Sequence, residues 1–177
     1  MDGNDVDFGR FLGRITACHV TTYFVAGLFA STLMDYKTLF QSDNLACYML
    51  PTSSPWVAAG PALQIIRGLI FALALYPFRR VFLGGPRGAL KLFSLLLGLA
   101  ILSTAGPAPG SIEGMIYTKL PVVGQITGLW ETVFQLLAFS FLVVAWHRKP
   151  TRAWSVAMGT LTALVILMSL AGVFLPH

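Results

Sequence analysis

The chain has 177 residues, 56% of them hydrophobic and only 11% charged, against about 25% charged in ordinary globular domains. So small a supply of charge cannot cover a soluble fold, and a bilayer removes the need. The formal net charge is +5, but the basic residues stand in short groups at the ends of apolar runs. That is the pattern of membrane anchors and not of a nucleic-acid-binding face, so no nucleic-acid partner is expected.

An α-helix needs about 20 apolar residues to cross the hydrocarbon core, and five runs are candidates. The first covers 11–34. The segment before it, MDGNDVDFGR, is acidic, which argues against a cleaved signal peptide. An outer loop over 35–55 follows, with Pro51 and Pro55 at its end. The second run covers 56–78 and stops at Gly84-Gly85-Pro86; the third, 88–104, is the shortest. A second outer loop, 105–120, opens on Gly106-Pro107-Ala108-Pro109-Gly110, residues that do not favour continuing a helix. The fourth run covers 121–146, and Pro150 parts it from the fifth, 152–175. The expected fold is all-α: one polytopic domain, a bundle of five transmembrane helices.

Lysines and arginines give this bundle a direction. Arg10, Arg14, Arg79, Arg80, Arg87, Lys91, Arg148, Lys149 and Arg152 fall on one set of alternating loops, and only Lys37 and Lys119 on the other. The positive-inside rule then puts the N-terminus in the cytoplasm and the C-terminus outside, in a plasma or bacterial inner membrane. Tyr36 and Trp56 mark the outer interface, and Tyr76, Trp146 and Trp154 the inner one. The inner ends of the second and fourth runs echo one another, Phe78-Arg79-Arg80 against Trp146-His147-Arg148, as shared anchoring rules alone predict. Cys18 lies within a run and Cys47 in a loop, so no disulfide is expected, and no Cys/His cluster suggests a metal.

Three ionisable residues fall inside the runs: His19, Arg67 and Glu131. A charge at the bilayer centre costs about 2.5–3.5 kcal/mol even on lenient scales, so such groups face the interior. Counted from the outer ends of their helices, Arg67 and Glu131 lie at matching depth, which suggests a pair where the second and fourth helices meet. Counted from the inner basic clusters the match is poorer, twelve residues against seventeen. Gly124, Gly128, Glu131 and Gln135 share one face, Gly60, Gln64 and Arg67 another. Gly124 and Gly128 form a GxxxG match, which lets helices approach closely, and the two small and polar faces are expected to look inward, toward each other or toward a cavity. Thr160, Thr162 and Ser169 are scattered and are expected to bond their own backbone.

Two function classes follow. One is a non-enzymatic bundle, an accessory subunit or a small-ligand, ion-binding or transport protein. It has a polar centre of Arg67, Glu131, Gln64, Gln135 and His19, and its partners are the bilayer and other membrane subunits or a second copy. The other is a membrane enzyme acting on a lipid or quinone-like substrate through Glu113, Tyr117 and Lys119 of the second outer loop, with Glu113 as acid or base. That loop reads equally as a turn that caps the bundle, and no catalytic motif is present. Haem ligation by His19 requires a second His at similar depth. Neither His147 nor His177 matches, so a hydrogen-bonded interior His is the expectation.

Overall fold

A computed structural model of the chain describes residues 7–102 and 108–174. Within them every regular element is helical: α1 Phe8–Leu33, α2 Tyr36–Leu39, α3 Pro55–Leu75, a 3-10 turn Tyr76–Phe78, α4 Arg79–Leu83, α5 Gly88–Leu102, α6 Ile112–Tyr117, α7 Val122–Arg148 and α8 Arg152–Phe174. The ends follow local chemistry. The Asp7 carboxylate accepts the Arg10 N–H at 3.0 Å and caps α1. Pro55 opens α3 at the first helical position, where its missing N–H costs nothing. Ser111 accepts the Gly114 N–H at 2.9 Å and caps α6.

Four stretches are long and apolar enough to cross a membrane: α1, α3 through α4, α7 and α8. The fifth expected span, α5, has 15 described residues. At 1.5 Å per residue that is about 22 Å, short of the roughly 30 Å of hydrocarbon. Its expected end at Thr104 and that of the last span at Leu175 lie outside the described residues. The two long loops, 35–55 and 105–120, are not featureless, since α2 lies in the first and α6 in the second.

α1 is the centre of the bundle. Half of its apolar stretch is buried within the protein, against 11–28% for the other three. It packs on α3, α7 and α8; α3 also packs on α8, and α5 on α7. Side-chain pairs fix the directions. His19 meets Gln64 and Phe11 meets Tyr76, so α1 and α3 are antiparallel. His19 meets Phe139 and Phe11 meets His147, so α1 and α7 are antiparallel as well. The main core, with Phe11, Ile15, Leu75, Phe82, Phe139 and Trp146, occupies the end of the bundle that carries the basic groups.

Two contacts hold α3 in place. A Cβ on Gly68 would stand 2.8 Å from the Thr16 Cα, so the α1–α3 approach requires glycine there. The Ser169 hydroxyl of α8 donates to the Ala58 carbonyl at 2.6 Å and accepts the Ala62 N–H at 3.2 Å. These two groups flank Pro61, which lacks an N–H and disturbs the helical ladder. Ser169 therefore bonds a neighbouring helix and not its own, and Thr162 lies 3.5 Å from Thr21 of α1. Both correct the expectation of self-bonding: a kinked neighbour offers freer backbone groups than a regular helix offers its own side chains.

Of the two expectations for the Gly124–Gly128 face, the cavity holds: a Cβ on either glycine would meet nothing within 4 Å among the described residues, and both line a cleft instead of a helix contact. Gly68, outside any GxxxG, makes the close helix contact. Gly68→Val is expected to lower stability in detergent by about 2 kcal/mol, as overpacking does, and Ser169→Ala by about 1 kcal/mol. Gly128→Ala should stay within about 0.5 kcal/mol of wild type. Thermal unfolding of the purified protein checks all three.

Candidate functional site

The polar groups expected at the bundle centre are strung along α1. His19, only 2% exposed, has its Nε2 3.1 Å from the Gln64 Oε1 of α3. With the amide oxygen as acceptor, the imidazole is the donor through Nε2–H. Its ring is enclosed edge-on by Phe71 and Phe139, at centroid distances of 4.8 and 6.0 Å. Gln64 in turn donates to the Gly60 carbonyl at 3.4 Å. An interior hydrogen-bonded histidine is what this geometry describes.

Arg67 and Glu131 do not pair. α3 and α7 both pack on α1 and make at most marginal contact with each other among the described residues. Their depths differ as well. Arg67 adjoins Gly68, level with Thr16, whereas a Cβ on Gly27 would stand 3.9 Å from the Glu131 Oε1. Thr16 and Gly27 are eleven residues apart on α1, about 16 Å along the axis. The count from the inner clusters points the same way but gives only five residues of it; the count from the outer ends misses it because α3 and α7 do not start at one level. Tyr23 of α1 lies between the two charges and interacts electrostatically with both.

The partner of Glu131 is Tyr36, the first residue of α2, whose phenol donates to the Glu131 Oε2. Burial first, and then the bonded carboxylate, hold the Tyr36 phenol above its usual pKa, so it stays protonated and remains a donor. Tyr36 stacks on Phe40 at 4.8 Å and lines a cleft of about 320 Å³ at the end of the bundle opposite the basic groups. The cleft is walled mainly by apolar groups, including Leu39, Leu45, Met49 and Leu120, with Gly124 and Gly128 on its α7 side. These glycines thus leave room in the cleft. Gln135, half-buried further along α7, makes no hydrogen bond among the described residues.

The loop before α7, from residue 108 on, is fastened to α7 by Gln125, which is 6% exposed. Its amide oxygen accepts the Gly110 N–H at 3.2 Å, and its amide nitrogen donates to the Leu120 carbonyl at 3.0 Å. A Cβ on Gly114 would clash with the Ala108 carbonyl, so the turn closes tightly. Within this cap Glu113 is half-buried while Tyr117 and Lys119 are exposed, and no hydrogen bond or ion pair joins the three among the described residues. The loop packs as a cap on α7, with Glu113 and Tyr117 four residues apart on α6 and so on one face of it.

No group of three metal-ligating side chains occurs among the described residues. His147 does not face His19: its Nδ1 bonds the Val143 carbonyl at 3.2 Å and its ring packs on Phe11. Phe11 lies eight residues from His19 on α1, about 12 Å along the helix. His177 lies outside the described residues.

Tyr23, Tyr36 and Gln125 are the site residues that sequence reasoning passed over. Tyr36 had been taken for a membrane-interface marker, yet an aromatic hydroxyl just past the end of a helix can equally turn inward to a buried acid. Comparisons with protein-family models, curated proteins and solved structures find no match to this chain. The reading of its function therefore rests on the geometry alone.

Proposed function

We propose that this is a non-enzymatic, five-span membrane protein that binds a small ligand or ion at the Tyr36–Glu131 pair, as an accessory or transport subunit. Its N-terminus is cytoplasmic and its C-terminus outside, in a plasma or bacterial inner membrane. In this reading α5 is the fifth crossing. The pair is entered from the outer cleft. Arg67, Gln64 and His19 set the field deeper along α1, and Gln135 supplies a further polar group on α7.

The observation that carries the reading is the position of Glu131. An intramembrane carboxylate is costly and is a default functional candidate. Among the described residues this one has no basic partner; it takes a hydrogen bond from Tyr36 and lies near an apolar cleft that Tyr36 itself lines. An apolar wall with one polar anchor suits a ligand with an apolar body and a cationic or hydrogen-bond-donating head. Accessory status is supported by the apolar surface that α3, α5 and α8 leave exposed, available to lipid or to other subunits.

The binding reading is tested by isolating the full chain from native membranes in mild detergent and analysing the small molecules retained. Glu131→Gln and Tyr36→Phe are expected to unfold within a few degrees of wild type yet to lose a retained compound at least tenfold. Equal retention in all three proteins contradicts the reading, as does collapse of both variants with no compound on the wild type. Topology has a separate check in Cys47, which is exposed, while Cys18 is buried. A membrane-impermeant maleimide added to intact cells should label Cys47. Labelling only after the membrane is opened would reverse the orientation.

A further inference from the structure

At the basic end of the bundle, α1, α7 and α8 enclose a cavity of about 970 Å³. Arg10 and Arg14 line it from α1, Arg148 from the end of α7 and Arg152 from the start of α8. Among the described residues the one acid in its wall is Asp7, whose carboxylate is already engaged as the cap of α1. Four guanidinium groups around one hollow are not explained by membrane anchoring alone, because anchors need only reach the interface and separate from one another. Like charges drawn together repel, and this arrangement is favoured once an anion stands among them.

The four arginines differ in how far they are committed. Arg148 donates to the Gly85 carbonyl at 2.7 Å, which ties the cavity rim to the loop between α4 and α5. Arg14 lies over the Trp146 ring at 5.5 Å. The side chains of Arg10 and Arg152 have no hydrogen bond or ion pair among the described residues and are exposed at the mouth. In the wall, the Trp146 indole N–H is buried with no hydrogen-bond partner among the described residues. α1 and α8 both begin at the cavity, so the positive ends of two helix dipoles add to the field.

We propose that this cavity binds a phosphate-bearing anion, with Arg10 and Arg152 closing on the phosphate and Arg14 and Arg148 held ready beneath. The planar fork of arginine matches phosphate oxygens two at a time. The volume admits a phosphorylated head group with its neighbouring atoms. Its position, between helices at their basic ends, is where anionic phospholipid head groups lie; a soluble phosphate compound presents the same chemistry. The site is distinct from the Tyr36–Glu131 cleft, which opens at the opposite end.

The test uses the full chain, stripped of lipid in a nonionic detergent, with phosphatidylglycerol, phosphatidylcholine or inorganic pyrophosphate added. Native mass spectrometry counts what is bound, and thermal unfolding reports stability. Phosphatidylglycerol is expected to bind and to raise the unfolding temperature by several degrees, with phosphatidylcholine giving no rise. The double variant Arg10→Gln/Arg152→Gln should lose at least tenfold in phosphatidylglycerol affinity. Arg87→Gln, at the same end but outside the cavity, should lose less than twofold. A response to pyrophosphate alone, lost in the same double variant, supports the anion site and assigns it a soluble ligand. Wild-type binding of both phosphates by the double variant overturns the proposal, and so does an equal loss in Arg87→Gln. Should the double variant not fold, Arg152→Gln alone is read the same way, with a threefold loss expected and none overturning the proposal.

Discussion

The close approach of α1 and α3 at Thr16 and Gly68 is the constraint on which the rest depends. With no Cβ at Gly68, the two backbones come near enough for His19 to reach Gln64 across the same interface. In lipid there is little hydrophobic drive between helices, so close packing and interhelical hydrogen bonds must supply the attraction. Once α3 is seated on one side of α1, α7 takes another, and α8 closes the remaining side by bonding α3 where Pro61 loosens it. Polar groups that look like one cluster in projection are thereby spread along α1.

That spread separates the two ends of the bundle. The basic end holds the large aromatic core and a hollow ringed by arginines. The opposite end holds short helices, a cap fastened by Gln125, and an apolar cleft that Tyr36 lines near Glu131.

Much of this was legible in the sequence. Long apolar runs between Pro/Gly breaks specify helices with ends near those observed, because a membrane helix must satisfy its own backbone and so reveals itself by length. The interior placement of His19 followed from the same cost of exposing a polar group. What could not be read was which helix stands between which. Matching Arg67 to Glu131 assumed that the second and fourth helices touch, and hydropathy carries no information about neighbours. The GxxxG match leaves its partner open for a related reason: small residues permit close approach to a helix or room for a cavity, and at Gly124 and Gly128 they border a cleft. Tyr36 was hidden by its position, since a residue in a short loop helix gives no periodic signal of the direction it faces.

The central claim, that α1 stands between Arg67 and Glu131, is tested most directly by cysteine cross-linking in native membranes. In a background carrying Cys18→Ala and Cys47→Ser, the pair Thr21→Cys/Thr162→Cys joins two positions whose hydroxyls lie 3.5 Å apart, and a disulfide should form readily on mild oxidation. The pair Arg67→Cys/Glu131→Cys should not cross-link under the same conditions. Efficient bridging of Arg67→Cys to Glu131→Cys, with none between the two threonine positions, would contradict the account.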